Sequence, residues 1–294
     1  MGWGGLARAL GLAALRFLGV VVIAITFAFF VERLMPRVGD DPTPWLEQYL
    51  GYWQNLFDPQ VSGRIMRALP WTLGMVGTAT VIALIVGTLV GAWMGHSSRH
   101  RVSGAVGIAV MIVATIPAFL IGMILVAIIS QRLRWLPPAG AFSPTQLWRD
   151  QVALVLDLLG HAALPILTIT LAGIGTFALT MRSLVAGNKG ADHGVYGESL
   201  GLPARRRFWA WEVRPALAAQ LTAAGLALGM VISGAFLVEA IFSYPGLGWV
   251  LYRGILEVDH AVVRGVTVLL IVGISFLTTL IDFVLPWVDP RIRR

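Results

Sequence analysis

The 294-residue sequence has no cysteine, one lysine (Lys189) and only 13% charged side chains. The missing cysteines exclude disulfides, zinc–thiolate sites, iron–sulfur clusters and thiol nucleophiles. The lone lysine excludes a P-loop, whose Gly-rich turn must end in Gly-Lys-Ser/Thr. Lys189 instead stands between Asn188 and Gly190, so the chain cannot hydrolyse ATP by that route. Five histidines without an H-E-x-x-H pattern leave no metal site. Gly173, Gly175 and Ala178 match G-x-G-x-x-A, but they sit inside an apolar run with no strand before it and do not make a dinucleotide fingerprint. Val231-Ile232-Ser233-Gly234 lacks the first glycine of G-x-S-G, and no histidine in an apolar run is placed to act as its base. His161, Glu239, Arg264 and Asp282 all fall near run ends, where interfacial or capping roles are expected rather than a proton relay. The driving force is therefore expected from a partner.

What the sequence has in abundance is apolar length. Hydrophobic residues make up 57%, against roughly 45–50% in soluble domains, with 33 Gly and 11 Trp. Uncharged runs extend from Trp71 to Gly95, Val102 to Ser130, Leu158 to Met181 and Pro215 to Val238. Each exceeds the ~20 helical residues that cross a ~30 Å hydrocarbon core. Two further runs reach that length with a charged residue at the edge. The sequence predicts an all-α integral membrane protein of six spans, at about 10–31, 71–95, 103–130, 158–181, 215–241 and 262–286. The whole chain, 1–294, is expected to form one transmembrane domain. The first segment reads as an uncleaved span, because no small-x-small site follows it before Glu32. Pro117 and Pro165 are expected to kink their spans.

The loops set the orientation. Thirteen basic residues lie on one side (Arg8, Arg16, Arg99, Arg101, Arg182, Lys189, Arg205, Arg206, Arg207, Arg214, Arg291, Arg293, Arg294). Eight lie on the other, spread over longer loops that also carry Glu32, Asp40, Asp41, Glu47 and Asp58. Both termini are thus expected in the cytoplasm, and the protein in the plasma (inner) membrane as a multi-pass component. The net charge of +7 follows from this topology, which removes nucleic acid as a partner. In the outer loop, 32–70, the aromatic residues Trp45, Tyr49, Tyr52, Trp53 and Phe57 are expected at the membrane interface rather than in a ligand cage. Gly87-x-x-x-Gly91-x-x-x-Gly95 and Gly225-x-x-x-Gly229 align glycines on single helix faces, for a subunit or gate interface or for packing inside the bundle.

Two loops carry functional information. In the loop 182–214, Asp192 is a good N-cap, and Gly201 with Pro203 makes a good stop. Between them His193 to Leu200 should form a helix of about eight residues, roughly 12 Å long. It is too short to stand alone and suits docking into a partner's groove. Gly201 should adopt positive φ. After the fifth span, Phe242 to Gly248 is expected to fold back over the outer end of the bundle. There Pro245, Gly246 and Gly248 would make a turn, with Phe242 and Tyr244 as apolar bulk and Glu239 bonded to nearby amides.

The loop 182–214 resembles the EAA loop of permease subunits in ABC importers. Gly201 matches the family's glycine, while Val195, Tyr196 and Gly197 occupy the E-A-A triplet. Other motifs point to the dipeptide/oligopeptide/nickel branch. Gly39-Asp40-Asp41-Pro42 resembles the end of its R-L-x-P-G-D-P, and Ile116-Pro117-Ala118-Phe119 its I-P-x-F. Trp135-Leu136-Pro137-Pro138-Ala139-Gly140 resembles its W-L-P-x-x-G, and His161 to Leu167 its H-x-x-L-P-x-L. Val238-Glu239-Ala240-Ile241-Phe242-Ser243-Tyr244-Pro245-Gly246-Leu247-Gly248 is similar to V-E-x-x-F-S-x-P-G-L-G, and Val288 to Arg293 to the terminal L-D-P-R-I-R.

This resemblance implies a type I ABC-importer permease fold and a non-enzymatic subunit forming half of a translocation pore. It implies a second homologous permease, one or two cytoplasmic ABC ATPases that bind ATP and Mg, and an extracytoplasmic substrate-binding protein, all in the lipid bilayer. This chain itself would hold no cofactor or metal. Val195, Tyr196, Gly197, Glu198, Ser199, Leu200, Gly201 and Leu202 would form the ATPase contact. Tyr196 and Ser199 would touch the ATPase, with Val195, Leu200 and Leu202 shared with the chain's own helices. Glu239, Phe242, Ser243, Tyr244, Pro245, Gly246 and Gly248 would form the periplasmic gate or the binding-protein contact. The expected cargo is an oligopeptide or dipeptide, with oligosaccharides or nickel chelates as alternatives, and an ATP-independent carrier or channel as a remote one.

Overall fold

In hydrocarbon every backbone N–H and C=O must find its partner within the segment, so long apolar runs fold as helices. The computed structural model describes residues 3–33, 43–54, 59–97, 100–143 and 150–288, and the regular elements among them are all helical. Gly39 to Pro42 and Asp289 to Arg293, two of the motifs named above, lie outside the described residues. In chain order the helices are α1 (Trp3–Glu32), α2 (Trp45–Gln54), α3 (Pro59–His96), α4 (Arg101–Thr115) and α5 (Ala118–Leu125). They continue with α6 (Gln151–Gly190), α7 (Asp192–Ser199), α8 (Ala204–Arg206), α9 (Arg214–Ile241), α10 (Leu247–Leu256) and α11 (His260–Val288). A π-helical stretch extends α5 over Val126–Arg132, and another, Arg207–Val213, joins α8 to α9.

Among the described residues, α3, α6 and α11 are long and apolar enough to cross a bilayer, and the number rises to five if each of two bent pairs is one span. The expected third span, 103–130, is not a straight helix. The chain turns by 100° between α4 and α5. Pro117 is the cause: its ring disfavours helical geometry at Ile116, which is extended at φ −79° and ψ 124°. Pro165, by contrast, lies within an unbroken α6, next to the fully buried Leu164. The helices also outrun the hydropathy. α3 starts at Pro59, inside the predicted outer loop, and α6 runs on to Gly190, inside the predicted loop 182–214.

The chain packs as two units. One comprises residues up to Trp71 together with Gly246–Val284. Ile25, Ala28 and Phe29 of α1, Tyr52 of α2 and Val268 of α11 form its core. Phe29 meets Tyr49 and Tyr52 edge-on at 5.2 and 5.3 Å. The outer-loop tyrosines therefore serve as core, whereas Trp45 is exposed. Gly265 of α11 admits the first turns of α3, since a Cβ there would lie 2.7 Å from Val61 Cγ1.

The other unit is built mainly from Thr72–Pro245. Here the glycine stripe of α3 is used within the chain. A Cβ on Gly87 would lie 2.7 Å from Phe177 Cβ, one on Gly95 2.7 Å from the Arg182 carbonyl, and one on Gly91 would overlap the Ala178 carbonyl. Small residues let α3 and α6 pack backbone to backbone. Gly173 and Gly175 serve the same purpose against Ala83 of α3 and Ala114 of α4. Gln220 of α9 completes the junction, its Nε2 donating to Thr88 Oγ1 at 3.2 Å and to the Phe177 carbonyl at 3.0 Å.

Candidate functional site

The segment between α6 and α9 is almost wholly helical; only Ala191 and Leu200–Pro203 interrupt it. The short helix expected over His193 to Leu200 runs from Asp192 to Ser199, one residue earlier. Ala191, extended at φ −76° and ψ 158°, is the last residue before it, and its carbonyl accepts from the Val195 amide at 3.1 Å. Asp192 is thus the first helical residue rather than the cap, a position that still favours a carboxylate. Gly201 has φ +65°, as the sequence predicts, and a Cβ there would meet nothing within 4 Å. Its requirement is conformational rather than steric.

α7 has two distinct faces. Gly197, the third residue of the substituted triplet, is buried, and a Cβ on it would lie 3.5 Å from Trp211 Cδ2 and 3.8 Å from Leu202 Cδ1. On the other face Val195, Tyr196 and Leu200 are 56%, 58% and 53% exposed. Val195 and Leu200, expected to be shared between a partner and the chain's own helices, are thus more than half exposed, while Leu202 turns partly inward. Ser199 is exposed, but its hydroxyl donates to the Tyr196 carbonyl at 2.8 Å. The result is a small helix on an aromatic support, with an uncommitted apolar face.

Behind α7 lies a polar cluster for which no local sequence pattern gives notice. His96 Nδ1 and Glu212 Oε2 are 2.7 Å apart, Asn188 Nδ2 donates to the Glu212 carbonyl at 2.9 Å, and Lys189 Nζ donates to the His96 carbonyl at 2.6 Å. The His96 and Phe208 rings meet edge-on at 5.1 Å. The only sequence signal is Glu212 itself, a carboxylate between Trp211 and Val213 on the basic side.

At the far end of α9 the chain reverses tightly. Tyr244 N–H donates to the Glu239 carbonyl at 2.9 Å, and Ser243 takes φ +47°. The backbone oxygen of Glu239 thus helps to close the turn. Phe242, expected as bulk at a pore mouth, is 1% exposed and lies against Gly122 of α5, where an added Cβ would stand 3.1 Å from its ring. Glu239 and Tyr244 are also buried. Burial pushes the Tyr244 phenol up, and the neighbouring Glu239 charge adds to the shift. Pro245 ends this turn, and Gly246 and buried Gly248 belong to the start of α10.

The loop 133–143 holds the turn in place. The Gly140 amide donates to the Phe242 carbonyl at 2.8 Å, with Gly140 at φ +87°. Asp157, just ahead of the apolar run 158–181, accepts from the Ser143 amide at 2.5 Å and from its hydroxyl at 2.9 Å. Those bonds, led by the backbone one, hold the Asp157 carboxyl below its ordinary value of 3.8.

The family described as binding-protein-dependent transport system inner membrane component matches residues 87–294, most of the chain and all of the segment from α6 through α11. The oligopeptide transport system permease protein OppB of Haemophilus influenzae is 25% identical over 311 aligned positions, covering 95% of this chain and 97% of the relative. The dipeptide transport system permease protein DppB of Escherichia coli K12 is 25% identical, covering 97% of each. The oligopeptide transport system permease protein AppB of Bacillus subtilis is 26% identical, covering 79% of this chain and 72% of the relative. Apolar helices long enough to cross a bilayer, a short exposed helix between α6 and α9, and this match over residues 87–294 agree: the chain belongs to the binding-protein-dependent transport system inner membrane components and is a multi-pass membrane protein.

Proposed function

We propose that the chain is the permease subunit of an ATP-driven ABC importer of peptides, with six spans and both termini in the cytoplasm. It would form half of a translocation pore with a second homologous permease. One or two cytoplasmic ATPases would bind ATP and Mg, and an extracytoplasmic binding protein would deliver the cargo. The observation that carries this reading is α7, where Val195, Tyr196 and the following Leu200 are more than half exposed among the described residues while Gly197 rests on Trp211. A helix of eight residues with such a face fits a groove on another protein. ATPase closure would push α7, and the spans would answer by opening the pore outward. Peptides are favoured as cargo by the similarity to two oligopeptide permeases and one dipeptide permease. At the outer end, the turn around Glu239 to Gly248 would act as gate or binding-protein contact through its backbone shape, since Phe242 and Tyr244 are held inside.

Gly201→Val tests the reading. A β-branched residue at φ +65° strains the backbone and redirects α7 without creating a clash. In the complete complex, this variant should assemble yet lose both peptide uptake and ATP hydrolysis stimulated by the loaded binding protein. Normal stimulated turnover would remove α7 from the mechanism.

A further inference from the structure

α7 is joined to its neighbours by two non-helical joints, Ala191 and Leu200–Pro203. Either joint can absorb a push, so displacement of α7 need not reach the spans unless something bridges them. The polar cluster behind α7 does so. Its central residue, Glu212, lies in the same π-helical stretch as Trp211, on which Gly197 of α7 rests. The Glu212 side chain is 5% exposed, and its carboxylate meets Nδ1 of His96, the last residue of α3. The Glu212 carbonyl accepts from Asn188 near the end of α6, and Lys189 ties α6 to the His96 carbonyl. The π-helical stretch leads without a break into α9. Four elements therefore converge around Glu212: α3 at its carboxylate, α6 at its backbone carbonyl, α9 by continuity and α7 through the adjacent Trp211.

We infer that His96 and Glu212 form a positioning latch, which makes α7 and the adjoining ends of α3, α6 and α9 move as one body. The inference rests on the reading of α7 as the ATPase contact. The Glu212 side chain is 5% exposed and that of His96 28%, and the bond between them is 2.7 Å long. An apolar pair of similar volume would hold the fold at least as well, because the cost of desolvating polar groups offsets most of their attraction. What the directional contact adds is a fixed register between helix ends. π-helical turns recur where helices carry function.

The experiment uses the full complex in nanodiscs. The chain has no cysteine of its own, so labels go to Asp192→Cys, exposed on α7, and Trp93→Cys on α3, with cysteine-free partner subunits. Electron spin resonance then measures the distance between them with and without ATP–vanadate. With the latch intact, the nucleotide should leave the distance distribution within its nucleotide-free width. In Glu212→Ala or His96→Ala the distribution should broaden or shift, but only when nucleotide is added. Glu212→Gln, which keeps an acceptor for the imidazole, should restore the narrow distribution. If Glu212→Ala stays narrow with nucleotide, or is already broad without it, the latch is overturned, the second result marking a purely structural role. A second pair, Asp192→Cys and a label beside the candidate groove of the ATPase subunit, separates the two readings. If that pair is not held at a short, narrow distance in the otherwise unaltered chain, the ATPase contact itself fails.

Discussion

Around α7, Val195, Tyr196 and Leu200 face outward and the smallest residue, Gly197, faces the chain; around the turn after α9, Phe242 and Tyr244 face inward and the backbone makes the shape. Both regions follow or precede an apolar run, and both are marked by glycine, proline and aromatic residues. Yet one end presents an exposed apolar surface and the other is an anchored fixture. At α7 the conformation is held by a left-handed glycine and an aromatic support, and Val195, Tyr196 and Leu200 stay exposed. At the turn the Phe242 ring is buried against Gly122 of α5, and its carbonyl takes the Gly140 amide of the loop 133–143.

Four substitutions press on that difference. The largest effect should come from the helix stripe on which both ends depend. Gly91→Val would drive a branched side chain into the Ala178 carbonyl, so α3 and α6 could not pack, and the protein should fail to accumulate as a monodisperse species after detergent extraction. Next, Phe242→Ala should lower stability by about 3–5 kcal/mol, the usual cost of emptying a buried aromatic site, read as a fall in the thermal midpoint. Tyr196→Ala is the counterpart at the other end. Its effect on stability should stay within about 0.5 kcal/mol while peptide uptake falls, and a matching drop in thermal midpoint would erase the contrast between the two regions.

The smallest effect concerns pH. The Ser143 bonds lower the folded-state value for Asp157, so they contribute stability above its unfolded value and lose it as pH falls through the folded one. Ser143→Ala removes the hydroxyl bond and keeps the larger amide one, so it should lower the thermal midpoint slightly near neutral pH, and the deficit should shrink once the medium is acidified below the ordinary carboxylate value of 3.8. A deficit that persists unchanged in acid would detach the hydroxyl's contribution from the Asp157 charge.

Local signals were legible and long-range ones were not. Positive φ at Gly201, a short helix ahead of it (begun one residue before the expected His193) and a bend at Pro117 all depend on residues adjacent in sequence, whose backbone preferences act wherever the segment ends up. Pro165 carries the same local signal as Pro117, but α6 remains continuous because tight packing at Leu164 outweighs one missing hydrogen bond. The start of α3 at Pro59 and the end of α6 at Gly190 escape a hydropathy reading, since Arg64, Arg67, Arg182 and Lys189 interrupt the apolar run without opposing the helix. The direction of each aromatic depends on what faces it. Nothing near Phe242 in sequence indicates that Gly122 leaves it a place, and nothing near Glu212 indicates His96.

The central claim, that the outward face of α7 seats on an ATPase, is tested most directly by disulfide cross-linking. With Tyr196→Cys as the chain's sole cysteine, and single cysteines introduced across the candidate groove of the ATPase subunit, oxidation in native membranes should join the two proteins. The yield should change when ATP–vanadate is added. A Tyr196→Cys chain that cross-links to no ATPase position, while Trp45→Cys controls show equal reactivity towards a soluble thiol reagent, would contradict the account.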